Sequence, residues 1–424
     1  MTTITVKSPS ALTVLVASFI GTTIEFFDFY IFATASVLIF PKVFFPGSDP
    51  TLGLLKSFMT FALAFLARPV GSMLFGHFGD RIGRKATLVA ALLTMGLSTF
   101  VIGLLPGYDA IGLWAPALLA LCRVGQGIGL GGEWGGAVLL AIENAPPHRR
   151  ALYGMFPQLG APVGFVLSGL AFYLLTANLD NSEVFAFGWR IPFLASAFLV
   201  LVGLYVRLKL SETPVFESAR TTIAHSNVPF VEIVKNHLWP LVMGIAIALA
   251  NFVLFYLMAV FILNWSTTQF GLGKPLILSL QLLGMFFFAT GILVGGWYAE
   301  RHRKYTLIIG NVLIVLFGLV FSVLFVPNAN SIGLTLCLGL FLMGIIYGPI
   351  GTTLGELFPT VVRYTGSSLA FSMAGILGAS VAPLLGTYLA QTYGLEAVGV
   401  YLSISALVSL GGTLAMKSET PQSL

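Results

Sequence analysis

Charge is what this sequence has least of. Asp, Glu, Lys and Arg supply 9% of its 424 residues, against 57% hydrophobic residues and a mean hydropathy of +0.96. A soluble domain carries about 25% charged residues, so a water-soluble globule is excluded and a chain that crosses a membrane many times is indicated. Cysteine is nearly absent as well. Cys122 and Cys337 both lie in apolar runs, which leaves neither a disulfide framework nor a thiolate metal knuckle. The five histidines, His77, His148, His225, His237 and His302, stand in or beside polar loops without metal-ligand spacing, so no metal and no cofactor is expected. Basic runs interleaved with aromatics are missing. That argues against nucleic acid as a partner, and the net charge of +5 reads instead as loop bias. The apolar stretches hold no nucleophile with a base, which excludes a membrane enzyme. The tails and the middle polar stretch are expected to be too short for an appended sensor domain.

What the sequence does have is long apolar runs. The first covers about residues 11 to 40 and is interrupted by Glu25 and Asp28; its length and its two acids mark a retained helix rather than a signal peptide. Others follow near 52–79, 86–105, 112–141, 152–177 and 188–208, and, beyond a polar stretch at 211–237, near 239–264, 276–299, 305–326, 331–356, 366–390 and 395–416. Most are long enough to span a bilayer with some tilt. The expected fold is an all-α membrane protein of twelve transmembrane helices. Its expected division is a six-helix bundle at 1–210, a cytoplasmic linker at 211–237, a second bundle at 238–416 and a cytoplasmic tail at 417–424.

Charge, where it occurs, is concentrated. Gly76-His77-Phe78-Gly79-Asp80-Arg81-Ile82-Gly83-Arg84-Lys85 cannot lie in hydrocarbon and marks a tight hydrophilic turn. A degraded copy, Gly296-Trp297-Tyr298-Ala299-Glu300-Arg301-His302-Arg303-Lys304, follows the second helix of the second six, with Gly71 and Gly76 mapping onto Gly291 and Gly296. Likewise Glu143 precedes Arg150 as Glu356 precedes Arg363, at equal spacing. Two matches at like positions predict two parallel pseudo-repeats with a path between them. With a cytoplasmic amino terminus, fifteen of the 21 basic residues fall on the inner side, whereas Lys42, Lys56, Arg190 and Lys274 lie at or near the outer side. Both termini are therefore expected in the cytoplasm.

The first turn resembles the Gly-x-x-x-Asp-Arg-x-Gly-Arg-Arg/Lys signature of the major facilitator superfamily, a large group of secondary transporters. Glu25-Phe26-Phe27-Asp28-Phe29, Arg68-Pro69-Val70-Gly71, Arg123-Val124-Gly125-Gln126-Gly127, Gly131-Gly132-Glu133-Trp134-Gly135-Gly136-Ala137, Gly188-Trp189-Arg190-Ile191-Pro192-Phe193 and Ser211-Glu212-Thr213-Pro214-Val215-Phe216 look like the metabolite:proton symporter family within it. The second half resembles that family mainly through Glu356-Leu357-Phe358-Pro359 and Arg363. The resemblance implies a major facilitator fold in a bacterial inner membrane, acting as a monomer. It also implies proton-coupled uptake by alternating access, driven by the proton gradient. The implied substrate is a small organic acid; a zwitterion such as proline or betaine, or export of a drug or metabolite, is the alternative.

Ionisable residues within a span are costly and by default functional. The first half holds Glu25, Asp28, Arg68, Arg123 and Glu133. Three carboxylates then face two guanidinium groups, and the one left over is relieved by taking up a proton that belongs to the cluster rather than to one residue. Glu25, Asp28 and Glu133 are the candidates for proton coupling, although the first two could instead scaffold Arg68 and the third could brace close helix packing. Arg123, farther toward the outer opening and with Gln126 one turn below, is the expected principal contact of a substrate carboxylate, with Arg68 as a second. Gln158, Asn251, Tyr256 and Gln281 are polar enough to line a cavity or to bond a backbone group. Gly76, Asp80, Arg81, Gly83, Arg84, Glu143, Arg150, Glu300, Arg301, Glu356 and Arg363 are expected to gate the conformational change. Kinks are expected near Pro157 and Pro349.

Overall fold

The computed structural model describes residues 11–47, 49–209 and 228–416. Lys7, Arg220, Lys417, the tail at 417–424, the Ser211–Phe216 motif and most of the expected linker lie outside them. The described residues form helices without a strand, as a backbone in lipid must when no water is there to satisfy it. Ten helices are long and apolar enough to cross a membrane. One of them, Lys274–Leu319, has 46 residues. At about 1.5 Å per residue it would be more than twice as long as a bilayer core is thick. Its backbone leaves the helical region at His302 (φ −139°, ψ 49°), inside the second charged turn, so it is two spans. Trp114–Glu143 is a further 30-residue helix whose Arg123, Glu133 and Glu143 lower its hydropathy. Among the described residues the total is twelve.

In chain order these are α1 Ala11–Leu38, α2 Pro50–Arg81, α3 Arg84–Leu104, α4 Trp114–Glu143, α5 Arg150–Asn178 and α6 Arg190–Leu208. The second set is α7 Leu238–Thr268, α8 at 274–301, α9 at 303–319, α10 Ala329–Glu356, α11 Thr360–Tyr393 and α12 Leu395–Ala415. The repetition read from the sequence reappears in packing. A side chain at Gly71 would run into the backbone oxygen of Ile128 on α4, and one at Gly291 into that of Phe341 on α10. Small residues let these helix pairs pack backbone to backbone, because lipid supplies no hydrophobic drive for association. Gly76 touches Thr365 of α11, and its counterpart Gly296 touches Met155 of α5. Each repeat thus presents its second helix to the fifth helix of the other.

The breaks lie partly where proline was expected. Helix α5 is interrupted at Leu159, between Arg150–Gln158 with its internal Pro157 and Gly160–Asn178. Pro349, by contrast, sits inside a continuous helix. Two further breaks are π-helical turns, at Leu257–Phe261 in α7, with no proline beside it, and at Ile376–Ser380 in α11, where Pro383 follows in the first turn of the resumed helix. Gln281 of α8 donates to the carbonyls of Met258 (3.1 Å) and Ala259 (2.7 Å), satisfying part of the first of them. The expected linker also contains a short helix, Pro229–Asn236, whose buried Ile233 packs with Phe358, Val362 and Leu369.

Candidate functional site

A cavity lies between the two repeats. The first repeat contributes Glu25 and Tyr30 from α1 and Arg68 from α2; the second contributes Asn251 and Tyr256 from α7 and Tyr347 from α10. Its ionisable groups of opposite sign, Glu25 and Arg68, are both buried. Glu25 Oε2, Arg68 Nε and both amide atoms of Asn251 have no hydrogen-bond partner. The guanidinium of Arg68 lies 5.5 Å over the ring of Phe371, and that ring stacks on Trp134 at 3.6 Å with 3° between planes. The cavity is therefore a ring-walled space holding one cation, one carboxylate and an amide with unused bonding capacity.

The other expected members of the cluster point elsewhere, for reasons of helical geometry. Successive residues turn by about 100°, so Asp28 is rotated roughly 60° from Glu25, enough to reach a different neighbour. It accepts a bond from Ser196 of α6 (2.6 Å) and does not line the cavity. Arg123 is fully buried, with its guanidinium carbon 4.9, 4.1 and 4.9 Å from the rings of Phe29, Phe32 and Phe61. It donates to Gln126 (3.0 Å), which in turn donates to Thr99 (2.8 Å). Arg123 and Gln126 thus do not reach the cavity that Arg68 lines. Gln158 accepts from Trp134 Nε1 (3.2 Å), and Gln281 serves the turn in α7, so neither lines the cavity. Asn251 and Tyr256 do.

The charge count also changes. Glu133 is ion-paired with Arg207, which donates in addition to the carbonyl of Leu88 (2.6 Å). Arg207 stands in the last turn of α6, where the sequence suggests a surface residue, yet it is buried. Its stem folds back past Gly21, where an added side chain would collide with the guanidinium. With Arg207 counted, the buried set holds three carboxylates and three guanidinium groups, of which Glu133 and Arg207 are ion-paired, so the expected surplus of one carboxylate does not exist. Tyr30, Tyr347 and Phe371 were not anticipated either, since buried aromatics carry no sequence mark separating wall from core.

The charged turns gather at one end of the molecule. Asp80 receives bonds from the backbone of Tyr364 (3.1 Å) and from the backbone and hydroxyl of Thr365 (3.0 and 2.7 Å). These are the orphan donors at the start of the helical segment Arg363–Gly375, whose own N-cap residue, Val362, offers no side-chain bond. Asp80 therefore caps a helix of the other repeat, where the helix dipole favours its charge. Arg84 holds Asp80 (3.0 Å) and Glu143 (3.3 Å), and Gly83, at φ 134°, makes the turn that brings it there. Glu143 also lies 3.8 Å from Arg363. The second repeat mirrors this: Glu300 accepts from Leu152 N (2.8 Å) at the start of α5, and Glu356 pairs with Arg303 and with Arg150 (3.8 Å). Arg81 and Arg301 are exposed at the same end.

A family model described as Major Facilitator Superfamily matches residues 18–383. The chain belongs to that superfamily. The Inner membrane metabolite transport protein YhjE of Escherichia coli (strain K12) is 51% identical over 418 residues, covering 97% of this chain and 95% of its own length. The Shikimate transporter of the same strain is 34% identical, covering 95% and 93%. The Proline/betaine transporter of Salmonella typhimurium (strain LT2) is 32% identical, covering 97% and 84%. Among solved structures, the proton:xylose symporter XylE bound to 6-bromo-6-deoxy-D-glucose superposes with a TM-score of 0.74 at 17% identity, covering 95% of this chain and 94% of that one. A major facilitator chain of this kind is a multi-pass membrane transporter of two six-helix repeats, not an enzyme. Its cavity occupies the interface of those repeats.

Proposed function

We propose that the protein takes up a small organic acid together with protons across the bacterial cytoplasmic membrane, by alternating access between bodies at 1–210 and 238–416. Both termini then lie in the cytoplasm and the charged end is the cytoplasmic gate, shut in the present arrangement. The observation that carries the reading is that buried Glu25 and Arg68 line one cavity between the repeats. Empty, the site holds one negative and one positive charge. Loaded with a monoanion and a proton, it holds a neutral carboxyl and an arginine matched by the substrate. Anion alone or proton alone would leave a net charge in a low-dielectric space, which costs several kcal/mol. Closure is therefore cheap in the two states that give symport and dear in those that give leak. Glu25 is the coupling group in this scheme, and Asp28 and Glu133 support α1 and α4 from behind.

Membrane vesicles expressing the protein test it directly, using labelled shikimate, benzoate and succinate with and without an inward proton gradient. Accumulation of an acid that collapses with a protonophore and disappears in Glu25→Gln supports the proposal. Accumulation that persists in Glu25→Gln overturns Glu25 as the coupling group. A second reading, uptake of a zwitterion, is favoured by the same Glu25 and Arg68, which could hold its two charges, and labelled glycine betaine in the panel separates the two.

A further inference from the structure

Resting on that reading of the cavity, we infer that the substrate is an aromatic monocarboxylate with a hydrogen-bonding substituent on the far side of its ring. Three observations converge. Nine of the fifteen residues lining the cavity are Phe or Tyr, contributed by both repeats. One ring contact crosses the interface, Tyr30 to Phe255 at 6.0 Å, and two more lie within the second repeat, Phe252 to Phe371 at 4.8 Å and Phe288 to Tyr347 at 5.6 Å. Offset and edge-on ring contacts favour another ring in such a space over a flexible chain.

The charges set the number of carboxylates. Arg68 is the guanidinium that lines the cavity, while Arg123 is enclosed by three phenylalanines and Arg207 is committed to Glu133. A second carboxylate would meet rings and Glu25, with no cation to balance it. A dicarboxylate is thus disfavoured.

Asn251 sets the remaining feature. It is 1% exposed, it lines the cavity, and neither its amide oxygen nor its amide nitrogen has a partner. A buried amide is costly to leave unbonded, so its presence there points to a ligand group that both donates and accepts. A ring hydroxyl does this; a quaternary ammonium does not, because its methyl groups would displace water from Asn251 and leave both atoms unsatisfied. Arg68 belongs to the first repeat and Asn251 to the second. A ligand that spans them ties the two bodies together through its carboxylate and its hydroxyl, which is how binding would favour closure.

The test is titration of the purified protein with 4-hydroxybenzoate, benzoate, cyclohexanecarboxylate, succinate and glycine betaine. The expected order is 4-hydroxybenzoate tightest, benzoate about tenfold weaker for want of one satisfied bond, cyclohexanecarboxylate weaker again, and no saturable binding of succinate. Asn251→Leu should close the gap between 4-hydroxybenzoate and benzoate, because the ring hydroxyl then has no amide to bond; a purely structural role would weaken both acids and keep their ratio. Cyclohexanecarboxylate equal to benzoate, or succinate tighter than either, overturns the aromatic assignment while leaving proton-coupled acid uptake standing. Binding of betaine with none of the acids overturns both. The ranking on the wild-type protein needs no variant to fold.

Discussion

Replacing Asp80 by Asn should open the charged end of the transporter, and the structure allows the size of the effect to be worked out. Asp80 takes three bonds from the start of the helix at Arg363 and one from Arg84. Asparagine keeps a carbonyl oxygen but presents an amide to donors and removes the charge. Losing a charged cap costs roughly 0.5–2 kcal/mol. Removing one member of a buried ion pair costs about 3–5 kcal/mol when the remaining ion is stranded. Here Glu143 stays 3.3 Å from Arg84, which pulls the second figure down. A net loss of about 3 kcal/mol for the shut arrangement corresponds to a shift of roughly 150-fold in the shut-to-open ratio. The assay is the labelling rate of a cysteine at Ser368, which is buried beside Gly135, in a background lacking Cys122 and Cys337, with a bulky maleimide offered from the charged end. Asp80→Asn should label about two orders of magnitude faster than the parent. Glu300→Gln should give only a few-fold increase, because Glu300 receives a single backbone bond, from Leu152 N. Equal rates in parent and Asp80→Asn would refute the reasoning, since the cap would then contribute nothing to closure.

Three further outcomes follow from the same geometry. Arg68→Lys should raise the half-saturation concentration of a carboxylate substrate at least tenfold, because an ammonium cannot make the paired, planar contact; Arg123→Lys should instead lower thermal stability through its phenylalanine enclosure and leave substrate ranking unchanged. Glu133→Gln should lower stability by about 3–5 kcal/mol by stranding Arg207, measurable as a drop in Tm of the purified protein, and Glu133→Gln with Arg207→Met should recover most of it. Glu25→Gln should abolish accumulation driven by a pH gradient while preserving exchange of labelled for unlabelled substrate, because the neutral side chain imitates the loaded state of the carboxyl.

The fold was open to reading because lipid imposes its demands on whole segments: a span must be about twenty apolar residues long, and charge can occur only at its ends or for cause. The second charged turn, Glu300 to Lys304, located the division between α8 and α9 that helix length alone would have hidden. The site was only half legible. Glu25, Arg68, Asn251 and Tyr256 converge on the cavity, but burial of a charge within a span does not tell which neighbour it faces. Asp28 was turned from Glu25 by helical rotation and bonds Ser196, Glu133 is taken up by its ion pair with Arg207, and Arg207 was missed because a long side chain at a helix end can fold inward as readily as outward. The π turn in α7 has no proline beside it, and the one in α11 precedes Pro383, a signal the sequence reading passed over.

The crossed arginines carry a consequence about symmetry. Glu143 meets Arg363 while Glu356 meets Arg150, so the acid of each repeat bonds the arginine of the other, and the bond is returned. That reciprocity is the rule of an isologous two-fold interface between identical subunits. The two bonds nevertheless differ in exposure: Glu143 is sealed from solvent, whereas Glu356 and Arg150 remain 26% and 15% exposed. One of the crossed bonds is part of the interior, and the other lies within reach of water and salt, so salt should weaken the second more than the first.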